Sequence, residues 1–247
     1  MKILVCISQV PDTTTKIAFT PDNKQFQKSG VQFIINPYDE WYALVRALEL
    51  KEAKGAGSVT LIHVGPAENE AIIRKGLAIG ADDAVRIDAD PADAYFVAEQ
   101  ISAYAKDKSF DLILTGKETI DSNSSMVGGM IAEMLDLPFV SLATKLDVNG
   151  TEATTECDID GGTEVLACQL PAVISCQKGM AEARIPNMRG IMAARTKPLA
   201  VVPVSNATVM TSVESYRLAE GRKAVKMIDP NNMDELVSLL HTEAKVI

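Results

Sequence analysis

The run DLILTGKETIDSNSS, beginning at Asp111, combines residue types in the order that most invites chemistry. A buried strand opens at Gly116 into Lys117, Glu118, Thr119, Ile120, Asp121, Ser122, Asn123, Ser124, Ser125, Met126 and Val127, and a helical pattern continues to Leu135. In open α/β sheets, ligands collect at the carboxyl ends of strands, where the next helix begins. Ser122, Asn123 and Ser124 are N-cap residue types, and free amides beside hydroxyls can cradle a phosphate. Gly128 and Gly129 would let the helix come close to the sheet or to a ligand. A capped strand-to-helix connection without a ligand accounts for the same residues, so the loop alone does not decide. Three further strand ends bear on it. Ser8-Gln9 leaves the first strand; Asn36, Pro37, Tyr38 and Asp39 open a helix; and Val64-Gly65-Pro66 leaves another strand. A flat base could lie against these backbone edges.

A second constellation spans residues 183–198, where Arg184, Arg189, Arg195 and Lys197 stand without an acid around Ile185, Met188, Ile191 and Met192. Flexible methionines ringed by charge suit a surface that meets more than one partner. Ile185, Met188 and Met192 also have helical spacing, which fits inward packing equally well. Motifs for triphosphate transfer, dinucleotide binding, a serine nucleophile or a metal centre are absent from the sequence. His63, inside a strand, and His241, near the end of the last helix, read as structural, and Lys117 with Glu118 reads as a solvated pair.

The elements that must position these residues alternate. Short apolar runs at 3–7, 59–64, 84–87 and 112–114 are bounded by Gly, Pro or Asp, as strands buried on both faces are. Amphipathic patterns at 39–54, 67–79 and 92–106 lie between them. Together they predict an α/β fold with a doubly wound, mainly parallel, Rossmann-like sheet. After Pro138, Asn149-Gly150 and Asp160-Gly161-Gly162 separate alternating runs, which predicts an antiparallel meander. Residues 171–176 read as another buried strand, and the stretch from there to Pro198 reads as an exposed loop. The expected division is an α/β domain over 1–200, including a recognition segment at 183–197, and a C-terminal arm and helix over 201–247.

Composition limits the partners. With 47% hydrophobic and 23% charged residues the chain is ordinary globular material. Its net charge of −9 opposes general association with nucleic acid or anionic lipid. Cys6, Cys157, Cys168 and Cys176 form no C-x-x-C pair, which fits a reduced, cytoplasmic setting. The N-terminal apolar run is too short to span a bilayer and reads as a first strand, so no direct membrane insertion is expected.

The two constellations, in this order, resemble the beta subunit of electron transfer flavoproteins. The resemblance rests on KILVCI from Lys2, NPYDE from Asn36, Gly65-Pro66, Gly80-Ala-Asp82, residues 111–121, Asp160-Gly-Gly162, LPAV from Leu170, and 184–193. It implies a heterodimer with an alpha subunit that holds most of the FAD, while this chain contributes a structural AMP and makes no bonds of its own. AMP contacts carried over by position are Cys6, Asn36, Pro37, Tyr38, Asp39, Val64 and residues 116–127. Residues 184–193 match the family's recognition loop for acyl-CoA dehydrogenases, with Met188 at its apolar anchor, where leucine is frequent. Electrons would pass on to a membrane quinone oxidoreductase. A bifurcating branch of the family, with a second FAD in place of AMP, is resembled by Val10-Pro-Asp-Thr13, but the Asp-Gly-Asp-Thr pattern of that branch is missing from residues 121–128. An ATP-hydrolysing protein of similar fold is the other alternative.

Overall fold

The computed structural model describes residues 1–221 and 224–247. Two compact units divide the chain, Met1–Lys16 with Gln27–Glu214 and Ile17–Phe26 with Ser215–Ile247. The larger unit runs β1 (Lys2–Cys6), β2 (Gln9–Pro11), β3 (Phe33–Ile35), α1 (Asp39–Lys54), β4 (Ser58–Val64), α2 (Glu70–Ile79), β5 (Asp83–Asp88), α3 (Ala94–Ala105), β6 (Leu112–Gly116) and α4 (Val127–Leu135). It continues with β7 (Phe139–Asn149), β8 (Glu152–Ile159), β9 (Gly162–Gln169), β10 (Ala172–Cys176), α5 (Met188–Ala194) and β11 (Leu199–Pro203).

The doubly wound sheet expected from the sequence forms, in the strand order β11-β5-β4-β1-β6-β10-β7-β8-β9. Parallel pairing runs from β11 to β7, and β7, β8 and β9 make the antiparallel meander. The small pair β2-β3 is antiparallel and separate. Because side chains alternate across a strand, β1 feeds two cores. Ile3 and Val5 pack with Leu44 and Leu48 of α1 and Ile73 and Leu77 of α2, while Leu4 and Cys6 join Phe96 and Ile101 of α3 and Ile131 of α4. The inner parallel strands, from β4 to β10, are covered on both faces, which is why they run nearly continuously apolar.

The chain winds outward from β1 through β4 to β5, then returns to add β6 on the other side of β1. The crevice between the carboxyl ends of β1 and β6 is therefore the switch point at which this architecture receives ligands.

Three local expectations are corrected. The stretch predicted as a loop before Pro198 contains α5, capped by Asn187, whose side chain accepts from the Gly190 amide. Helix α4 spans Val127–Leu135 as expected, but neither Ser122, Asn123 nor Ser124 caps it; Met126 is the residue before it and makes no side-chain cap. Residues 201–203, assigned from sequence to the C-terminal arm, belong with Leu199 and Ala200 to an edge strand that pairs with β5. Beyond it, residues 205–211 are held along α3. Gln100 bonds both ways with Ser205, Glu99 accepts from the Thr208 amide, and Asp93 accepts from the amides of Met210 and Thr211.

In the smaller unit Phe19 stacks on Tyr216 with ring centroids 4.8 Å apart, and the Tyr216 amide donates to the Asn23 carbonyl. The amphipathic segment near the end forms α6 (Met233–Leu239), followed by a wider turn over Leu240–Ala244. Among the described residues no helix is long and apolar enough to cross a membrane.

Candidate functional site

Asn36 is fully buried and ties three segments together at the switch point. Its backbone amide donates to the Ser8 carbonyl at 3.2 Å, next to the end of β1. Its side-chain nitrogen donates to the Glu118 carbonyl and its side-chain oxygen accepts from the Ile120 amide, both at 2.9 Å. Both ends of the amide are thus used to shape the 116–127 loop. The loop is also fixed from below, where the Lys117 amide donates to the Cys176 carbonyl at 2.9 Å.

Glu40, one residue beyond the segment singled out from sequence, is the group that fixes the β1 end. Its carboxyl accepts from the Ser8 amide at 2.6 Å and the Ser8 hydroxyl at 2.7 Å. Burial pushes Glu40 up to about 8, while the two Ser8 donors pull it down. Asp39 beside it is pushed up to about 6, again chiefly by burial, with Lys117 pulling it down. Little room is left between these acids and the loop. A Cβ at Gly116 would stand 2.8 Å from Glu40 Cγ and 3.1 Å from the Glu40 nitrogen, which explains a side-chain-free residue at the strand exit.

Within the loop, Thr119 and Ser122 share a hydroxyl bond of 2.8 Å, and the Asn123 amide closes back on the Thr119 carbonyl. Asn123 and Ser125 take left-handed backbone conformations, at φ 51° and 50°. The amides of Ser124, Ser125 and Met126 meet no acceptor among the described residues. Alternation of left-handed and ordinary conformations turns successive amides toward one side and makes a concavity suited to an anion. It lies at the start of α4, where the helix dipole adds positive potential. Tyr38 is held at φ 63°, ψ −90°, a strained setting for a residue with a Cβ, and the residue is 57% exposed.

Val64 ends β4 in a buried position, and Gly65 follows because a Cβ there would meet His63 Nε2 at 2.3 Å. His63 Nδ1 bonds the Ile7 carbonyl at 2.8 Å and Nε2 bonds Asn69 at 2.9 Å, so this histidine braces the β1 end. Burial holds its pKa below the ordinary value. Cys6, which faces the α3 and α4 side, is buried, and burial drives its thiol far up, leaving shape as its contribution. Sequence reasoning missed Glu40 and the bracing role of His63. Their partners, Ser8 and Ile7, are 32 and 56 residues away, and no local pattern announces either pair.

The second constellation is a surface. Ile185 is 91% exposed and Met188 72%, and Ile191 and Met192 are exposed too, so inward packing does not occur; of α5 only Ala194 is buried. Arg184 makes a two-pronged ion pair with Glu52 of α1, at 2.7 and 2.9 Å. The loop at 116–127 and the surface at 185–192 are thus separate features of one unit.

A family model for the electron transfer flavoprotein domain matches residues 24–207. The chain belongs to the electron transfer flavoprotein family. Among its relatives are proteins named electron transfer flavoprotein subunit beta from Bacillus subtilis (strain 168), 37% identical over all of both chains, and from Syntrophomonas wolfei, 37% identical over 91% of this chain and 88% of its own. A mitochondrial electron transfer flavoprotein subunit beta from Oryza sativa subsp. indica is 32% identical over all of both chains. The resemblance to beta subunits seen in the sequence is borne out, and an electron-transfer role goes with this electron transfer flavoprotein membership.

Proposed function

We propose that this chain is the beta subunit of a heterodimeric electron transfer flavoprotein, that it holds AMP at the β1/β6 switch point, and that it docks acyl-CoA dehydrogenases through residues 184–192. The observation that carries the nucleotide reading is the loop stitched by Asn36, which leaves the amides of Ser124, Ser125 and Met126 without acceptors at the start of α4. The residues present fit a nucleotide monophosphate. The amides and the Ser124 hydroxyl take the phosphate, while the Ser125 hydroxyl donates to the Glu118 carboxylate at 3.4 Å; the strand ends at Cys6 and Val64 supply flat edges, and the exposed Tyr38 supplies a ring. The carboxyl of Glu40, raised to about 8, is largely neutral at pH 7, which lessens its repulsion of an anion.

FAD, held mainly by the alpha subunit, supplies the redox chemistry when bound. This chain's own residues shape the nucleotide loop, present the donor surface and contribute the C-terminal arm and α6, at 201–247, to the contact with the alpha subunit. Electrons taken from the dehydrogenase pass to a membrane quinone oxidoreductase from a complex that works in the cytoplasm.

Exposure ranks the docking residues. Ile185 stands out furthest, so Ile185 takes the anchor role that the sequence resemblance gave to Met188, with Met188 beside it. Chromatography of nucleotides released on denaturing the heterodimer tests the first part: one FAD and one AMP is the expected outcome, and two FAD overturns AMP in favour of a bifurcating protein. For the second, Ile185→Ala is expected to weaken reduction of the heterodimer by the dehydrogenase by about tenfold or more, as deleting an interface anchor does, with AMP at full occupancy. Loss of AMP in that variant would count against a surface role.

A further inference from the structure

Helix α5 has seven residues, and a helix that short does not hold itself in water. Its apolar burial is confined to Ala194, so packing contributes little to its pose. Two other contacts hold it to α2. Gly190 rides directly on the carbonyl of Ala78, where a Cβ would come within 2.2 Å of the oxygen. The ends of the two helices are then joined by an exchange of cations. Arg74, from α2, donates one guanidinium nitrogen to the carbonyls of Ala194 and Lys197, at 2.7 and 2.6 Å. Lys197, just beyond α5, donates its ammonium to the carbonyls of Leu77 and Ala81, at 2.9 and 2.5 Å.

Neither helix has a basic residue in its own last turn. One terminal carbonyl of each helix, Leu77 of α2 and Ala194 of α5, where the helix dipole is negative, is thus answered by a cation from the other side, and the carbonyls of Ala81 and Lys197 just beyond the helices take the second bonds. Burial lowers the Lys197 pKa from its ordinary value, with nearby Asp82 pulling it up and Lys51 pushing it further down.

We propose that Arg74 and Lys197 are positioning residues for the donor-docking surface, and that by capping each other's helices they fix the angle at which Ile185, Met188 and Met192 meet the partner. The inference rests on the reading of residues 184–192 as the docking segment. Neither cation touches the partner in this scheme; both act through α5. Since α5 buries only one of its own residues, loosening it leaves the sheet and the nucleotide loop intact.

The test uses the heterodimer with its alpha subunit, and a purified short-chain acyl-CoA dehydrogenase with butyryl-CoA as the probe donor. Arg74→Gln is expected to raise the KM for the heterodimer about tenfold, the effect of losing a charge-assisted bond, with kcat within about twofold of wild type. Flavin reduction by dithionite, AMP content and melting temperature stay at wild-type values, and amide exchange over residues 190–197 becomes faster. Arg74→Lys, which keeps a cation, recovers most of the KM, and Lys197→Gln reproduces the Arg74→Gln phenotype. An unchanged KM in Arg74→Gln, alongside a raised KM in Ile185→Ala, overturns the positioning role alone. If Ile185→Ala and Met188→Ala also leave KM unchanged, the docking reading falls, and this proposal with it. Loss of AMP or a lowered melting temperature in both Arg74→Gln and Lys197→Gln would make the pair a structural support and overturn the proposal as well.

Discussion

Glu40 accepts two hydrogen bonds from Ser8 while shut away from water, and its protonation sets how well the fold tolerates it. Its ordinary value is 4.5 and burial raises it to about 8. Between those values folding takes up a proton, so stability falls as pH rises; below the window both states are protonated, and above it both are ionised. Glu40→Gln keeps the shape and removes the proton uptake. Melting curves recorded from pH 5 to 8 should show wild type losing stability relative to the variant as pH rises, with the two converging at the acid end. A parallel pH response in both proteins would place the titration elsewhere. Single residues of this kind are the least legible from sequence. The NPYD segment pointed to the right corner of the fold, but nothing local distinguished Glu40, which braces the site, from Asp39, its neighbour on the same helix turn.

The 116–127 loop behaves as a unit because Asn36 holds it. Asn36→Ala would leave the Glu118 carbonyl and Ile120 amide without partners in a part-buried setting, at a cost of roughly 1–3 kcal/mol for each group left unsatisfied. The expected result is a lower melting temperature together with substoichiometric AMP in the purified heterodimer; full AMP occupancy would mean that the loop holds its form without Asn36. Legibility differed sharply among elements. Helix α1 matches the sequence pattern from Asp39 to Lys54 because it packs one broad apolar face and stops at a left-handed Gly55. Strands buried on both faces declared themselves by unbroken apolar runs. Helix α5 did not, since it faces inward at Ala194 alone and its exposed apolar residues carry no signal of burial. Strand β11 was hidden for a related reason, being a half-exposed edge with Pro203 at its end. Ser122, Asn123 and Ser124 were capping types in a loop whose backbone turns twice into the left-handed region before the helix begins.

Across the whole molecule the charge is −9, against which residues 184–197 form a basic island. The structure reduces what that island offers a partner. Arg184 is neutralised by Glu52 and Lys197 is turned onto carbonyls, which leaves Arg189 and Arg195 facing outward. Rim charges act mainly on encounter rates, within a screening length of about 8 Å at physiological salt. Arg189→Gln and Arg195→Gln should therefore slow association with the dehydrogenase and flatten its dependence on ionic strength. Arg184→Gln made together with Glu52→Gln, which removes the pair without changing net charge, should leave that dependence near wild type. Stopped-flow reduction over a salt series separates the two, and an equal flattening in all three variants would show Arg184 to be part of the encounter surface.

Strand order gives the segment that carries α5 an unusual freedom. It leaves β10 and must reach β11, with β6, β1, β4 and β5 between them, a lateral distance of about 24 Å at the usual strand spacing. Both landing points have registers fixed by the sheet, Cys176 opposite Gly116 and Leu199 opposite Ala84. The segment is thus a bridge between two abutments, and its exposed decking can be replaced without disturbing either. Exchanging residues 183–189 and 191–196 for those of a relative, while Arg74, Gly190 and Lys197 stay, should retune which dehydrogenase is served and leave the melting temperature unmoved. Donor choice in this lineage would then be a cassette, inherited and edited separately from the fold that carries it.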